Sequence, residues 1–180
     1  MFLVFTFLTY QKPYLRKYSI LNMYKQLMLL FFTSCFLLPK AQQPAPKVFI
    51  KTETGKSVLF SDVIKNDTNA IVVFWATWCN PCINELENLK FLISQQQNKN
   101  IKVYAVSVDD SRTSNKAKSF AKSKRWPFTI LLDPNNDLMR AFNISNPPYS
   151  CVIKKGVISF AKNGYIQGSE TELLKAYNKN

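Results

Sequence analysis

Phe74-Trp75-Ala76-Thr77-Trp78-Cys79-Asn80-Pro81-Cys82 joins an apolar run, Ile71 to Trp75, to a segment with helical spacing. The continuous apolar run reads as a buried strand. Pro81 to Gln97 reads as a helix, because Ile83, Leu86, Leu89, Phe91 and Leu92 recur close to a 3.6-residue period. A strand feeding a helix sets Cys79 among the unpaired N–H groups of the helix start, where the dipole stabilises a negative sulfur. Such placement lowers a thiol pKa from roughly 8.5 to about 3.5–7.5. The resulting thiolate attacks a disulfide, and a second thiol such as Cys82 resolves the mixed disulfide.

Composition removes most competing uses of this pair. The chain has no histidine, so Cys₂His₂ and Cys₃His zinc sites are impossible. A Cys₄ site needs both Cys35 and Cys151, and Cys35 sits in a segment read below as an export signal. Ile83 follows Cys82, so the haem attachment motif is absent. A peroxiredoxin would place a Thr-x-x-Cys arrangement where this chain has its tryptophan-flanked pair. A purely structural disulfide is the plain alternative; the Trp-Cys-x-Pro-Cys context favours a dithiol redox centre.

Outward from this stretch the chain reads as one α/β domain. Val48 to Thr52 and Ser57 to Phe60 flank Thr54-Gly55-Lys56 as a hairpin. Ser61-Asp62 is placed to cap a short helix. Ile101 to Val108 alternates as a strand, Ser114 to Lys124 is helical, Phe128 to Leu132 is a strand, and Asp137 to Phe142 a short helix. Tyr149 to Ile153 and Val157 to Ala161 form a hairpin through Lys154-Lys155-Gly156. Ser169-Glu170-Thr171-Glu172 reads as a capping box opening a last helix to Tyr177. Strands alternating with helices and ending in a hairpin plus a helix predict a mixed central sheet.

Trp-Ala-x-Trp-Cys-x-Pro-Cys resembles the active site of the thioredoxin superfamily, and the extended form with Glu85 beyond it is similar to the TlpA/ResA-like envelope branch. The resemblance covers roughly Lys47 to Tyr177. It implies a thioredoxin-like fold, a redox-active Cys79–Cys82 disulfide with no other cofactor and no metal, and a cis-proline facing the dithiol. Pro148 holds the family's separation from the hairpin glycine, Gly156. Its distance along the chain from Cys79 leaves room for a βα unit beyond plain thioredoxin. Pro147 is the alternative cis residue, with the strand shifted by one.

Two departures bear on chemistry. The residue before the cis-proline, which in the family bonds the substrate backbone through N–H and C=O, is here Pro147, and proline has no N–H. Val73 stands where thioredoxin keeps a buried aspartate. Glu85, one helical turn past Cys82 on the same face, is the branch's glutamate and a candidate acceptor of the Cys82 proton; an ordinary acidic residue of a helix start is the alternative. Trp78, Pro81, Pro147 and Pro148 are the candidate substrate contacts. Asn80, between the cysteines, tunes the potential, and Trp75 packs in the core. Cys151 reads as a small buried hydrophobe, with a regulatory thiol as the minority reading.

Residues 1–41 carry Lys12, Arg16, Lys17, Lys25 and Lys40 and no acid. From Met23, itself a candidate start, the sequence gives a basic stretch, the apolar run Leu27 to Leu38, and Pro39-Lys40-Ala41. The run is short of the about 20 residues needed to span a bilayer. A removed export signal is therefore preferred to a membrane anchor, and Phe32-Thr33-Ser34-Cys35 offers a weak lipidation alternative. Residues 42–46 form a linker and 47–180 the domain. Net charge is +13; the front segment removed, nineteen bases face eleven acids. The cluster Lys116, Lys118, Lys122, Lys124, Arg125 reads as a solvated helix face rather than a nucleic-acid patch.

The expected activity is thiol–disulfide exchange in the cell envelope or periplasm, reducing disulfides of exported proteins, with apocytochrome c among the substrates the resemblance implies. The expected partners are those substrates and a membrane thiol electron donor, with no nucleic acid, and the protein acting as a monomer. A disulfide donor or isomerase is the alternative of the same chemistry, and a thioredoxin-like binding module without turnover that of another class.

Overall fold

A computed structural model describes residue 20 and residues 22–29, 43–96 and 100–179. The chain divides into two units, Met1–Ala41 and Gln42–Asn180. In the first, residue 20 and residues 22–29 are helical and exposed. Most of the apolar run, Cys35, and Pro39 to Ala41 lie outside the described residues, as does Gln97. No helix among the described residues is long and apolar enough to cross a membrane.

The second unit is built on one seven-stranded sheet. Its elements are β1 Phe49–Thr52, β2 Ser57–Leu59, α1 Phe60–Ile64, β3 Asn69–Trp75, α2 Asn80–Ser94, β4 Val103–Ser107 and α3 Ser114–Ser123. These are followed by β5 Thr129–Leu132, α4 Asp137–Ala141, β6 Tyr149–Lys154, β7 Val157–Asn163 and α5 Glu170–Asn178. The strand order is β2-β1-β5-β4-β3-β6-β7. β3, β4 and β5 run parallel, while β6, β7, β1 and β2 join antiparallel. This is the mixed thioredoxin-like sheet expected, with β5 and α4 as the added βα unit and β5 as the seam to the N-terminal hairpin.

Strand alternation sorts the core into two layers, because successive side chains leave opposite faces. Trp75 points to the layer of α2 and α3, where it meets Trp126 at 4.8 Å between ring centroids and Phe120 at 6.0 Å. Phe74 points the other way, to a cluster in which Phe142 lies edge-on to Phe74 (5.2 Å), Phe60 (5.9 Å) and Tyr149 (6.1 Å). Phe142 therefore ties the hairpin's helix to the central strands. β3 is buried from Ala70 to Trp75, as the apolar run required.

The local differences from the sequence reading have physical causes. α1 begins at Phe60, so Ser61 and Asp62 lie inside it; its N-cap Leu59 makes no side-chain cap, and burial of Phe60 sets the start. The capping box does not form, since the N-cap Ser169 gives no side-chain cap. Its Oγ instead accepts from Lys162 Nζ, and the Glu170 carboxylate accepts from Gly168 N at 3.0 Å. Phe91 departs from the apolar stripe of α2 and is exposed. Lys116, Lys122 and Arg125 are exposed, and α3 turns Ala117 and Ala121 inward instead. Lys124 Nζ lies 3.8 Å from a Glu87 oxygen.

Truncating Phe142 removes three edge-on ring contacts from a buried site. Phe142→Ala should lower the stability of the fold by about 3–5 kcal/mol, read as a fall in the denaturant midpoint at constant slope. A loss below about 1 kcal/mol would show that the cluster does not hold the hairpin.

Candidate active site

The chemistry sits where β3 ends and α2 begins. Cys79 is the N-cap of α2 and Pro81 stands in its first turn, where a missing N–H costs nothing. Cys82 N donates to Cys79 Sγ at 3.3 Å, and Ile83 N donates to the Cys79 carbonyl at 3.1 Å. The two cysteines are joined as a disulfide, with their Cα atoms 5.3 Å apart. Cys79 keeps 5% exposure and Cys82 none, so Cys79 alone is open to a partner. Trp78 is 65% exposed beside it, an apolar platform at the rim, and Asn80 and Pro81 are exposed on the outer turn.

A carboxylate two residues past the end of β4 fixes the loop that delivers Cys79. Asp109, 1% exposed, accepts from Thr77 N at 2.9 Å and Thr77 Oγ1 at 2.6 Å, and from Ser107 Oγ at 2.9 Å. Bonds to a buried charged acceptor are the strong kind. The residues between Trp75 and Cys79 are thereby pinned to the end of β4.

The cis peptide bond joins Pro147 to Pro148, which makes Pro148 the cis residue. Pairing of Phe74 with Tyr149 puts Pro148 level with Trp75, at the sheet end that carries the dithiol. Pro148 is buried and Pro147 half-buried. The Pro148 carbonyl accepts from Gly164 N at 2.8 Å, so the chain after β7 closes over this end.

Beneath the disulfide the site holds a buried ionisable group. Glu85 is fully buried. Its Oε1 accepts from Ser150 Oγ at 2.8 Å and lies 3.9 Å from Lys162 Nζ; Oε2 finds no hydrogen-bond partner among the described residues. Burial raises its pKa from 4.5 to about 7, against the lowering effect of the Ser150 hydroxyl and of Lys162, with Glu170 adding to the rise. A carboxyl that titrates near neutrality is matched to proton transfer at physiological pH. Cys151 is a free, fully buried thiol whose pKa burial pushes up, so it is inert packing. An open groove of about 510 Å³ runs beside the start of α2, lined by Pro81, Asn84, Glu87, Asn88, Tyr165 and Gln167.

Sequence reading missed Asp109, Ser150, Lys162 and Glu170. Lys162 carried a usable signal. It continues the inward alternation of Ile158 and Phe160, and a lysine at an inward strand position needs a counter-charge. The other three act through contacts that join distant segments and leave no local spacing.

Comparison with known proteins agrees with this geometry. The family model described as "AhpC/TSA family" matches residues 41–169. The sporulation thiol-disulfide oxidoreductase A of Bacillus subtilis is 29% identical over 127 residues, 68% of this chain and 75% of that protein. A thiol-disulfide oxidoreductase ResA of Bacillus thuringiensis subsp. konkukian is 24% identical over 111 residues, 62% of each chain; the match thus spans less than two thirds of it. A solution structure of a thioredoxin-like protein from Porphyromonas gingivalis superposes with a TM-score of 0.65 at 32% identity, over 74% of this chain and 90% of that one. The chain belongs to the AhpC/TSA family, in its thioredoxin-like form with a redox-active cysteine pair.

The buried acid makes stability depend on pH. Because its pKa is raised in the folded state, Glu85 binds its proton more tightly folded than unfolded, so stability falls as pH rises. In the oxidised protein the loss should run between pH about 4.5 and about 7, and Glu85→Gln should flatten that limb. Parallel curves for the two proteins would contradict the raised pKa.

Proposed function

We propose that this chain, a thiol–disulfide oxidoreductase by family and site, works in the reducing direction on disulfides of exported proteins in the cell envelope. Apocytochromes c awaiting haem are one substrate class. The carrying observation is the stacking of an accessible Cys79 at a helix start over a buried Cys82 and a buried carboxyl. No histidine lies between the cysteines to add the thiolate stabilisation typical of strong oxidants. The basic and apolar front segment supports export.

In the reduced enzyme the Cys79 thiolate attacks one sulfur of the substrate disulfide, and the other sulfur leaves as a thiolate. Glu85 takes the proton of Cys82. The Cys82 thiolate then attacks Cys79 Sγ, forming the Cys79–Cys82 bond and expelling the second substrate sulfur. Two electrons have passed from the dithiol to the substrate, and the oxidised state seen here is the end of the cycle. A membrane thiol donor returns the electrons. Trp78 and the edge at Pro147 and Pro148 hold the substrate chain beside Cys79.

The reduction potential of the Cys79–Cys82 pair, equilibrated against thiol buffers, decides direction. A value of about −270 mV or lower is expected of a reductant. A value between about −120 and −180 mV would place the protein with disulfide donors and isomerases. Cys82→Ser should accumulate mixed disulfides with envelope proteins, since the resolving thiol is gone; a strain showing no such adducts would end the exchange mechanism.

Pro147 gives a second test. Lacking an N–H, it can offer a substrate backbone only its carbonyl. Pro147→Thr restores the donor and should lower KM for a disulfide peptide about threefold to tenfold, the worth of one net hydrogen bond. An unchanged KM would mean that the substrate strand does not pair at this edge.

A further inference from the structure

Lys162 is not used by the exchange chemistry as written above, yet the fold delivers it to the centre of the site. It lies directly across from Ser150 in the β6–β7 ladder, and Ser150 in turn lies across from Val73 on β3. Directly opposed residues project from the same face of a sheet. Val73, Ser150 and Lys162 thus form one row beneath α2, and the last two reach the same atom, Glu85 Oε1. The Lys162 side chain is only 13% exposed. Its ammonium donates to Ser169 Oγ and lies 5.6 Å from the Tyr165 ring centroid, so it is aimed inward by partners on both sides.

We infer that Lys162 is a positioning residue of the redox site: its ammonium favours the ionised carboxylate of Glu85 and so sets the pH at which Cys82 gives up its proton. The inference rests on the exchange reading above. Among the described residues, few charged and titratable groups face Glu85. β7 supplies Lys162, α5 supplies Glu170, the loop after β7 supplies Tyr165, and Cys82 precedes it on α2; β6 contributes the neutral Ser150 hydroxyl. Tyr165 OH is held by Asn88 Nδ2 at 2.6 Å. Glu85 thus has one opposing cation, the Lys162 ammonium at 3.9 Å, and one like charge acting on it, the buried Glu170. Removing that ammonium leaves Glu85 with desolvation and a like charge and no opposing cation, which drives it to the neutral form.

In that form it cannot take a proton. When ionised, Glu85 accepts the Cys82 proton and becomes a carboxylic acid. The Cys82 thiolate attacks Cys79 Sγ of the mixed disulfide, the Cys79–substrate bond breaks, and the substrate sulfur leaves with the electron pair. Without Lys162 this sequence needs a higher pH.

The test follows the Glu85 carboxyl directly, by carbon NMR titration of the oxidised protein, alongside the pH profile of disulfide reduction. Lys162→Gln keeps a donor for Ser169 and removes the charge; it should raise the Glu85 midpoint by about 1 pH unit and carry the acidic limb of turnover upward with it. Lys162→Arg should restore both. Glu170→Gln should move both downward, which provides an independent arm if Lys162→Gln fails to fold. An unmoved Glu85 midpoint in Lys162→Gln overturns the proposal, as does a midpoint that moves while the turnover limb stays. A wild-type protein that reduces no disulfide at any pH would instead sink the reductant reading, while the titration of the oxidised form still decides whether Lys162 governs Glu85.

Discussion

A carboxyl with no exposed surface, one helical turn past a sulfur with no exposed surface, is the constraint around which this site is arranged. A buried carboxylate costs several kcal/mol unless it is paired and hydrogen-bonded. Glu85 has one oxygen satisfied, by Ser150 and at longer range by Lys162, and one oxygen left over. That incomplete satisfaction separates the group from a structural salt bridge. A fully paired carboxylate would stay ionised through the cycle, and an unpaired one would stay neutral. Partial pairing leaves it near the balance point, where a proton from an adjacent thiol can be taken and returned.

The same economy divides labour between the two cysteines. Cys79 sits at the helix start, where backbone N–H groups stabilise its thiolate, and at the rim of the fold, where a substrate can reach it. Cys82 is inside, away from solvent and competing disulfides. The rim has to be rigid for this to work, because a thiolate that wanders loses its alignment with the helix. Asp109 supplies the rigidity from just past the end of β4 by holding both the N–H and the hydroxyl of Thr77. The parallel pairing of β3 with β4, in which Trp75 lies opposite Ser107, brings Asp109 beside that loop.

Much of this was legible in the chain. The Ile71 to Trp75 run and the Cys-x-x-Cys pair located the strand, the turn and the helix start, since burial and periodicity are local properties of a sequence. The cis-proline came from the family resemblance, which sets it at this separation from the hairpin glycine and left Pro147 as the alternative; the cis bond is that of Pro148. Lys162 was placed one residue beyond the expected end of its strand, and so its inward alternation went unread. Ser150 and Glu170 gave no sign, because their role is set by the pairing of β6 with β3 and by the packing of α5. The two missing caps have tertiary causes. Phe60 begins α1 for its own burial, so Ser61 and Asp62 fall inside it. In contrast, α5 starts where expected, after Ser169, whose hydroxyl is engaged by Lys162. A tertiary contact took each cap that local chemistry had offered.

Val73 and Glu85 are best understood together. In a sheet row running Val73, Ser150, Lys162, a carboxylate on β3 would emerge from the sheet directly beside Ser150, with α2 above it. Here that position is apolar, and the acid descends from α2 onto Ser150 and Lys162 instead. Both arrangements put one carboxyl between the helix and the sheet next to the buried thiol, but they attach it to different elements. An acid on the strand is fixed by the ladder. An acid on α2 shares the rigid body of the helix that carries Cys82, so its distance to the sulfur is set by one helical turn rather than by how helix and sheet dock. The proton acceptor then moves with its donor, and the sheet need supply only the hydroxyl and the cation that tune it.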